Sequence, residues 1–171
     1  TKGALIERDV DVLADLAREA DATVFFSIPF ADADDARAIE PFAATPERRL
    51  RALRTLSEAG VRTGVSVSPL IPGLNDHQVP TILERARAAG AQHAFHVLLR
   101  LPAEVETVFV ERLRVAFPQR ADKVLNQLRE MHGGRLYDPS FFARQRGRGE
   151  RYRLLADLFD TLLQEILDGR T

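Results

Sequence analysis

Three short apolar runs constrain this chain more than anything else in it: ATVFFSIPF at residues 22–30, VRTGVSVSPL at 61–70 and HAFHVLLRL at 93–101. Their apolarity is nearly continuous, without the strict alternation of a strand that faces water on one side. Strands of that kind belong to parallel sheets covered by helices. Helical patterns stand between the runs. Ile6, Val10, Leu13 and Leu16 recur at helical spacing before the first. Thr45-Pro46-Glu47 places a capping hydroxyl, a proline at the first helical position and a carboxylate facing the positive end of the dipole. Leu50, Leu53 and Leu56 follow on one face, and Gly60 ends that helix. Val79, Ile82, Ala86 and Ala89 mark a further helix up to Gly90, with Asn75 or Asp76 expected as its cap.

Strand and helix therefore alternate as βα units, and the chain is α/β. The leading helix follows TKG directly, which implies a further strand lying mostly before residue 1. After Pro102 the pattern is helical only, over roughly 103–116, 120–131 and 150–168, and the last of these carries Leu155, Leu158, Phe159, Leu162 and Ile166. The expected organisation is a βα part over residues 1–102 and a helical extension packed on it over 103–171.

The most specialised stretch is VSVSPLIPGLND, Val65 to Asp76, in which a strand runs into two prolines, a glycine and an Asn-Asp pair. Prolines fix φ and a glycine accepts conformations other residues avoid, so this backbone is held rigid where a strand ends and a helix begins.

Composition sets the limits. With 171 residues, 45% of them hydrophobic, the chain can bury one sizeable core. A formal charge of -1 creates no overall field that would draw DNA or an acidic membrane, so any nucleic-acid contact needs a local patch. No run of about 18 uncharged apolar residues is present, and TKGALIERD lacks the pattern of a signal peptide. A cytoplasmic protein is the expectation. The absence of cysteine excludes disulfides, thiolate metal sites and cysteine-ligated clusters within these residues. His93 and His96 are three apart, which in a strand points them to opposite faces, and no metal site is expected from histidine. Neither a Gly-rich phosphate loop nor a Gly-x-Ser-x-Gly elbow occurs.

In parallel α/β folds the carboxyl ends of the strands gather on one edge, where ligands sit. The polar residues expected there are Lys2, Ser27, Ser66, Ser68 and Arg100. A lysine and a serine facing one mouth can hold a carboxylate or ribose hydroxyls, and an arginine can clamp an anion with two parallel bonds. The stretch RQRGRGERYR concentrates Arg144, Arg146, Arg148 and Arg151 beside Tyr152, a group that can contact phosphates. The alternative function is accordingly a non-catalytic α/β module that binds nucleic acid or protein through this tail.

Taken in order, TKGALIERDVDVLADLA, EPFAATPERRLRAL, SVSPLIPGLND, VLLRLPAEV, ADKVLNQLREMHGGRLYDPSF and RGRGERY span nearly the whole chain. In this order the chain resembles the C-terminal portion of a radical S-adenosylmethionine protein of the spore photoproduct lyase-like kind. The resemblance implies an α/β fold that is the C-terminal part of a partial (β/α)6 TIM-type barrel, followed by a helical tail. It also implies that Lys2 and Ser27 bind the methionine or ribose part of S-adenosylmethionine. The backbone around Ser66, Ser68 and Pro69 would then flank the adenine, with Arg100 and Arg146 on the substrate side.

Members of that family hold a [4Fe-4S] cluster in a CxxxCxxC motif, and this chain has no cysteine. The expectation is therefore a fragment whose N-terminal half, with the cluster, is its partner; a degenerate relative is the other explanation. Thr1 falling within a strand end favours the fragment. The complete enzyme would be a lyase that cleaves S-adenosylmethionine reductively and abstracts hydrogen from a substrate, DNA repair being the best-known case. These residues alone are expected to be inactive, to hold S-adenosylmethionine at most weakly, and to self-associate through an exposed sheet edge. Phe42, after Glu40-Pro41, stands where relatives often carry a basic residue, which argues against an ion pair at that position.

Overall fold

A computed structural model describes residues 1–137 and 147–167 of the chain. A 3-10 segment, Ala4–Asp9, leads into α1 (Val10–Glu19), followed by β1 (Thr23–Ser27), α2 (Ala33–Ile39), α3 (Pro46–Glu58) and β2 (Arg62–Leu70). A single 3-10 turn then precedes α4 (Val79–Ala88), and β3 (His93–Leu98), α5 (Ala103–Ala116), α6 (Ala121–Met131) and α7 (Gly149–Leu167) complete the described chain. All three apolar runs form strands; β1 and β3 stop short of the ends of their runs, which continue into buried residues such as Ile28, Phe30, Leu99 and Leu101. The helix α2 escapes a periodicity reading: it spans only seven residues, and it starts because Asp32 accepts hydrogen bonds from the amides of Asp34 and Asp35.

The strands pair in parallel in the order β1-β2-β3, with Phe26 opposite Val65 and Val65 opposite Ala94. Among the described residues this is an open three-stranded sheet, and the expected part of a (β/α)6 barrel is not what forms. Closing a sheet on itself requires many tilted, staggered strands, and three in sequence order leave β1 and β3 at the two outer edges. At the β1 edge, the Thr1 amine donates to the Phe25 carbonyl and the Ser27 amide donates to the Thr1 carbonyl, both in ladder fashion.

Alternation along the strands gives the sheet two unlike faces. Phe26, Val65 and Val67 point to the helix side and are fully buried with Leu53 and Leu56 of α3, Ile82 and Leu83 of α4, and Phe159 of α7. The opposite face carries Phe25, Gly64, Ser27, Ser66 and Phe95. On it the Phe25 and Phe95 rings meet edge to face at 5.0 Å. Gly64 is required there by close approach, since a Cβ at this position would stand 2.4 Å from the Phe25 ring. A second core cluster lies just past the strand ends, where Phe30, Ile71, Leu74, Leu99 and Leu101 pack under Leu113 of α5 and Val124, Leu125 and Leu128 of α6.

Candidate functional site

Four of the predicted site residues lie on one continuous hydrogen-bonded path at the carboxyl ends of β1 and β2. The Ser66 and Ser68 hydroxyls bond each other at 2.7 Å, and the Ser27 hydroxyl donates to the Ser68 carbonyl at 2.6 Å. The Ser27 carbonyl in turn accepts from Nη1 of Arg49 at 2.6 Å. Arg49 also donates from Nη2 to Glu40 at 2.9 Å and from Nε to the Ala44 carbonyl at 2.7 Å. The other oxygen of Glu40 accepts from Nζ of Lys2. Pro69 follows Ser68 through a cis peptide bond, and its carbonyl accepts from the side chain of Asn75.

The two residues that tie this path together, Glu40 and Arg49, were not among the sequence candidates. Arg49 did leave a signal. It stands three residues before Ala52 and four before Leu53, both fully buried, which places it on the inward stripe of α3 rather than among the solvated arginines. Its side chain is only 2% exposed, against 11% for Glu40 and 44% for Lys2. A guanidinium sealed in this way needs its donors met by fixed acceptors, and two carbonyls and a carboxylate do so. Glu40 therefore serves two cations at once, and the cluster carries one positive charge in excess among the described residues. Phe42, two residues after Glu40, is fully exposed.

Asn75 does not cap α4. It is fully buried, accepts the Ile71 amide at 2.7 Å and donates to the carbonyls of Pro29 at 2.7 Å and Pro69 at 2.9 Å. One amide side chain thus staples the turn after β2 to the segment after β1. Asp76 braces the same turn by accepting the Gly73 amide at 3.1 Å. A positive φ of 78° and the side chain of Gln127, 2.9 Å from where a Cβ would sit, reserve position 73 for glycine. The rigidity of PLIPGLND thus comes from bonds that reach across to neighbouring segments as well as from its prolines.

Arg100 lies apart from this path. Its Nη2 donates to the Tyr137 hydroxyl at 3.5 Å and its guanidinium carbon stands 5.9 Å from that ring, so it rests against an aromatic face. Arg144 and Arg146 lie outside the described residues. Of the other tail arginines, Arg151 is paired with Glu130 at 2.8 Å, and the Arg148 amide donates to the Met131 carbonyl. Among the described residues no three His, Asp or Glu side chains gather at metal-binding spacing, and the chain has no cysteine. The donor set does not fit an iron–sulfur cluster. No described helix is long and apolar enough to cross a membrane.

No family model matches the chain. It is similar to the uncharacterized protein Rv2578c of Mycobacterium tuberculosis, 29% identical over 164 residues that make up 92% of this chain and 47% of that protein. Shorter similarities reach the uncharacterized protein MJ0683 of Methanocaldococcus jannaschii, 34% identical over 44% of this chain and 28% of that protein, and the uncharacterized protein ORF301 of Acidianus two-tailed virus, 35% identical over 42% of this chain and 23% of that protein. The chain spans about half the length of the mycobacterial relative.

Proposed function

We propose that this chain is the S-adenosylmethionine-holding part of a radical S-adenosylmethionine enzyme of the spore photoproduct lyase-like kind, acting with a further half that carries the cluster. The observation that carries the reading is the pair of cations on a single carboxylate: Lys2 and Arg49 on Glu40. The surplus positive charge suits the carboxylate of the methionine moiety. Lys2, the exposed partner, turns to that carboxylate, while buried Arg49 keeps Glu40 and the Ser27 carbonyl in place. Ser66, Ser68 and the backbone through Pro69 supply hydroxyls and carbonyls on the same path for the adenosyl part. S-adenosylmethionine, bound there, supplies the group whose reductive cleavage starts hydrogen abstraction. The half-length match to the mycobacterial relative supports a division of labour between two halves of a longer protein, and a cytoplasmic setting goes with the same reading.

The test is titration of the isotope-labelled chain with S-adenosylmethionine. Weak binding is expected, with amide shifts centred on residues 2, 27 and 66–70 that disappear in Lys2→Ala. Shifts centred elsewhere, or submicromolar affinity that survives Lys2→Ala, would sink the proposal.

A further inference from the structure

A cavity of about 590 Å³ lies between the outer edge of β3 and α7. Residues 94–97 of β3 form one wall; Tyr152, Phe159 and Asp160 of α7 form the other, with Ala156 leaving room between them. The volume is in the range of small-molecule sites, about 300–1,000 Å³. Aromatic rings stand on its α7 side. The His96 ring stands 4.6 Å from the buried Phe159 ring and 6.3 Å from the Tyr152 ring. The Nε2 atom of His96 is closed to solvent and has no hydrogen-bond partner among the described residues. Such an atom in a folded protein calls for an explanation.

The charge in this cavity is unlike that of the rest of the chain. Of the 24 lysines and arginines, none of those described lines it, and among the described lining residues Asp160 is the one charged side chain. Burial holds the His96 imidazole below its ordinary pKa despite the opposing pull of Asp160, so the ring is neutral. Aromatic faces attract cations within about 6 Å through their quadrupole, and the Asp160 carboxylate adds the opposite charge.

We propose that the β3–α7 cavity is a binding site for an organic cation, an alkylated ammonium or aromatic amine, held against the Tyr152 ring and paired with Asp160. The site is independent of the one at the strand ends.

The test uses benzyltrimethylammonium chloride titrated into the full 171-residue chain, with benzoate as an anion of similar shape, followed through the ring resonances of His96 and Tyr152. The ammonium is expected to shift these rings and to bind at least about tenfold more tightly than benzoate, roughly 1.4 kcal/mol. Asp160→Asn should weaken it about tenfold, and Ala156→Leu, which fills the space but leaves Asp160, should abolish it. Benzoate binding equally well, or binding indifferent to Asp160→Asn, overturns the assignment of charge. His96 and Tyr152 rings that do not respond to saturating ammonium overturn the site itself.

Discussion

The two ends of the sheet solve opposite problems. At the β1 side, a fully buried guanidinium has its charge and its donors met by a carboxylate and two carbonyls, and every group on the path from Lys2 to Ser66 is bonded. At the β3 side, a neutral imidazole is wedged between aromatic rings with one nitrogen unpaired among the described residues. The first arrangement is a polar network completed from within, in which each member keeps the others in place. The second leaves an unmet hydrogen bond, and unmet bonds at low dielectric are costly. A network of the first kind should fail when a member is removed, whereas the second should gain stability when its polar atom is deleted.

The largest effect is expected at Arg49. Arg49→Ala leaves two carbonyls without their donor and Glu40 with only the exposed Lys2, so the loss should be about 3–5 kcal/mol in urea unfolding. A loss below about 1 kcal/mol would mean that this network behaves like a surface ion pair and would remove the contrast.

His96→Phe should act in the other direction, raising stability by about 1 kcal/mol through removal of a buried polar atom without a partner. It should also change the response to acid. Because the folded state holds the His96 pKa below its unfolded value, the unfolded chain takes up the proton first. The contribution of neutral His96 is therefore fully present above the unfolded pKa and is lost as the pH falls through it toward the folded one. Urea midpoints measured from pH 7 downward should fall less steeply in His96→Phe than in the parent. Parallel pH profiles would show that His96 is not buried as described.

Lys2→Ala should produce the smallest effect, under about 1 kcal/mol, because its side chain is 44% exposed and water screens the pair. The useful comparison is with Arg49→Ala: similar losses would mean that Lys2, and not Arg49, holds Glu40 in place.

Much of this architecture was legible in the chain. The strands fall within the three apolar runs, and the Thr45 cap with Pro46 starts α3 as its residues require, Thr45 accepting the Arg48 amide. The tail helices lie close to their apolar patterns. The strand-end serines and Lys2 were identifiable from their position alone. Arg49 was harder to identify, because an arginine between charged neighbours looks solvated unless its phase against Ala52, Leu53 and Leu56 is followed. Asn75 read as a cap because asparagine before a helix usually is one; its side chain instead found three backbone partners, two of them on Pro29 and Pro69.

By itself, then, the amino-acid order determined which segments become strands and helices, because periodicity, caps and turn residues act over a few neighbours. Only the tertiary structure decided that the sheet stays open, that Glu40 answers two cations, and that His96 is left between rings with an unmet bond. Those outcomes depend on residues far apart in the chain, such as Lys2 with Glu40, 38 positions on, and His96 with Asp160, 64 positions on. No local pattern encodes such pairings, since they exist only once parallel strands have brought distant segments side by side.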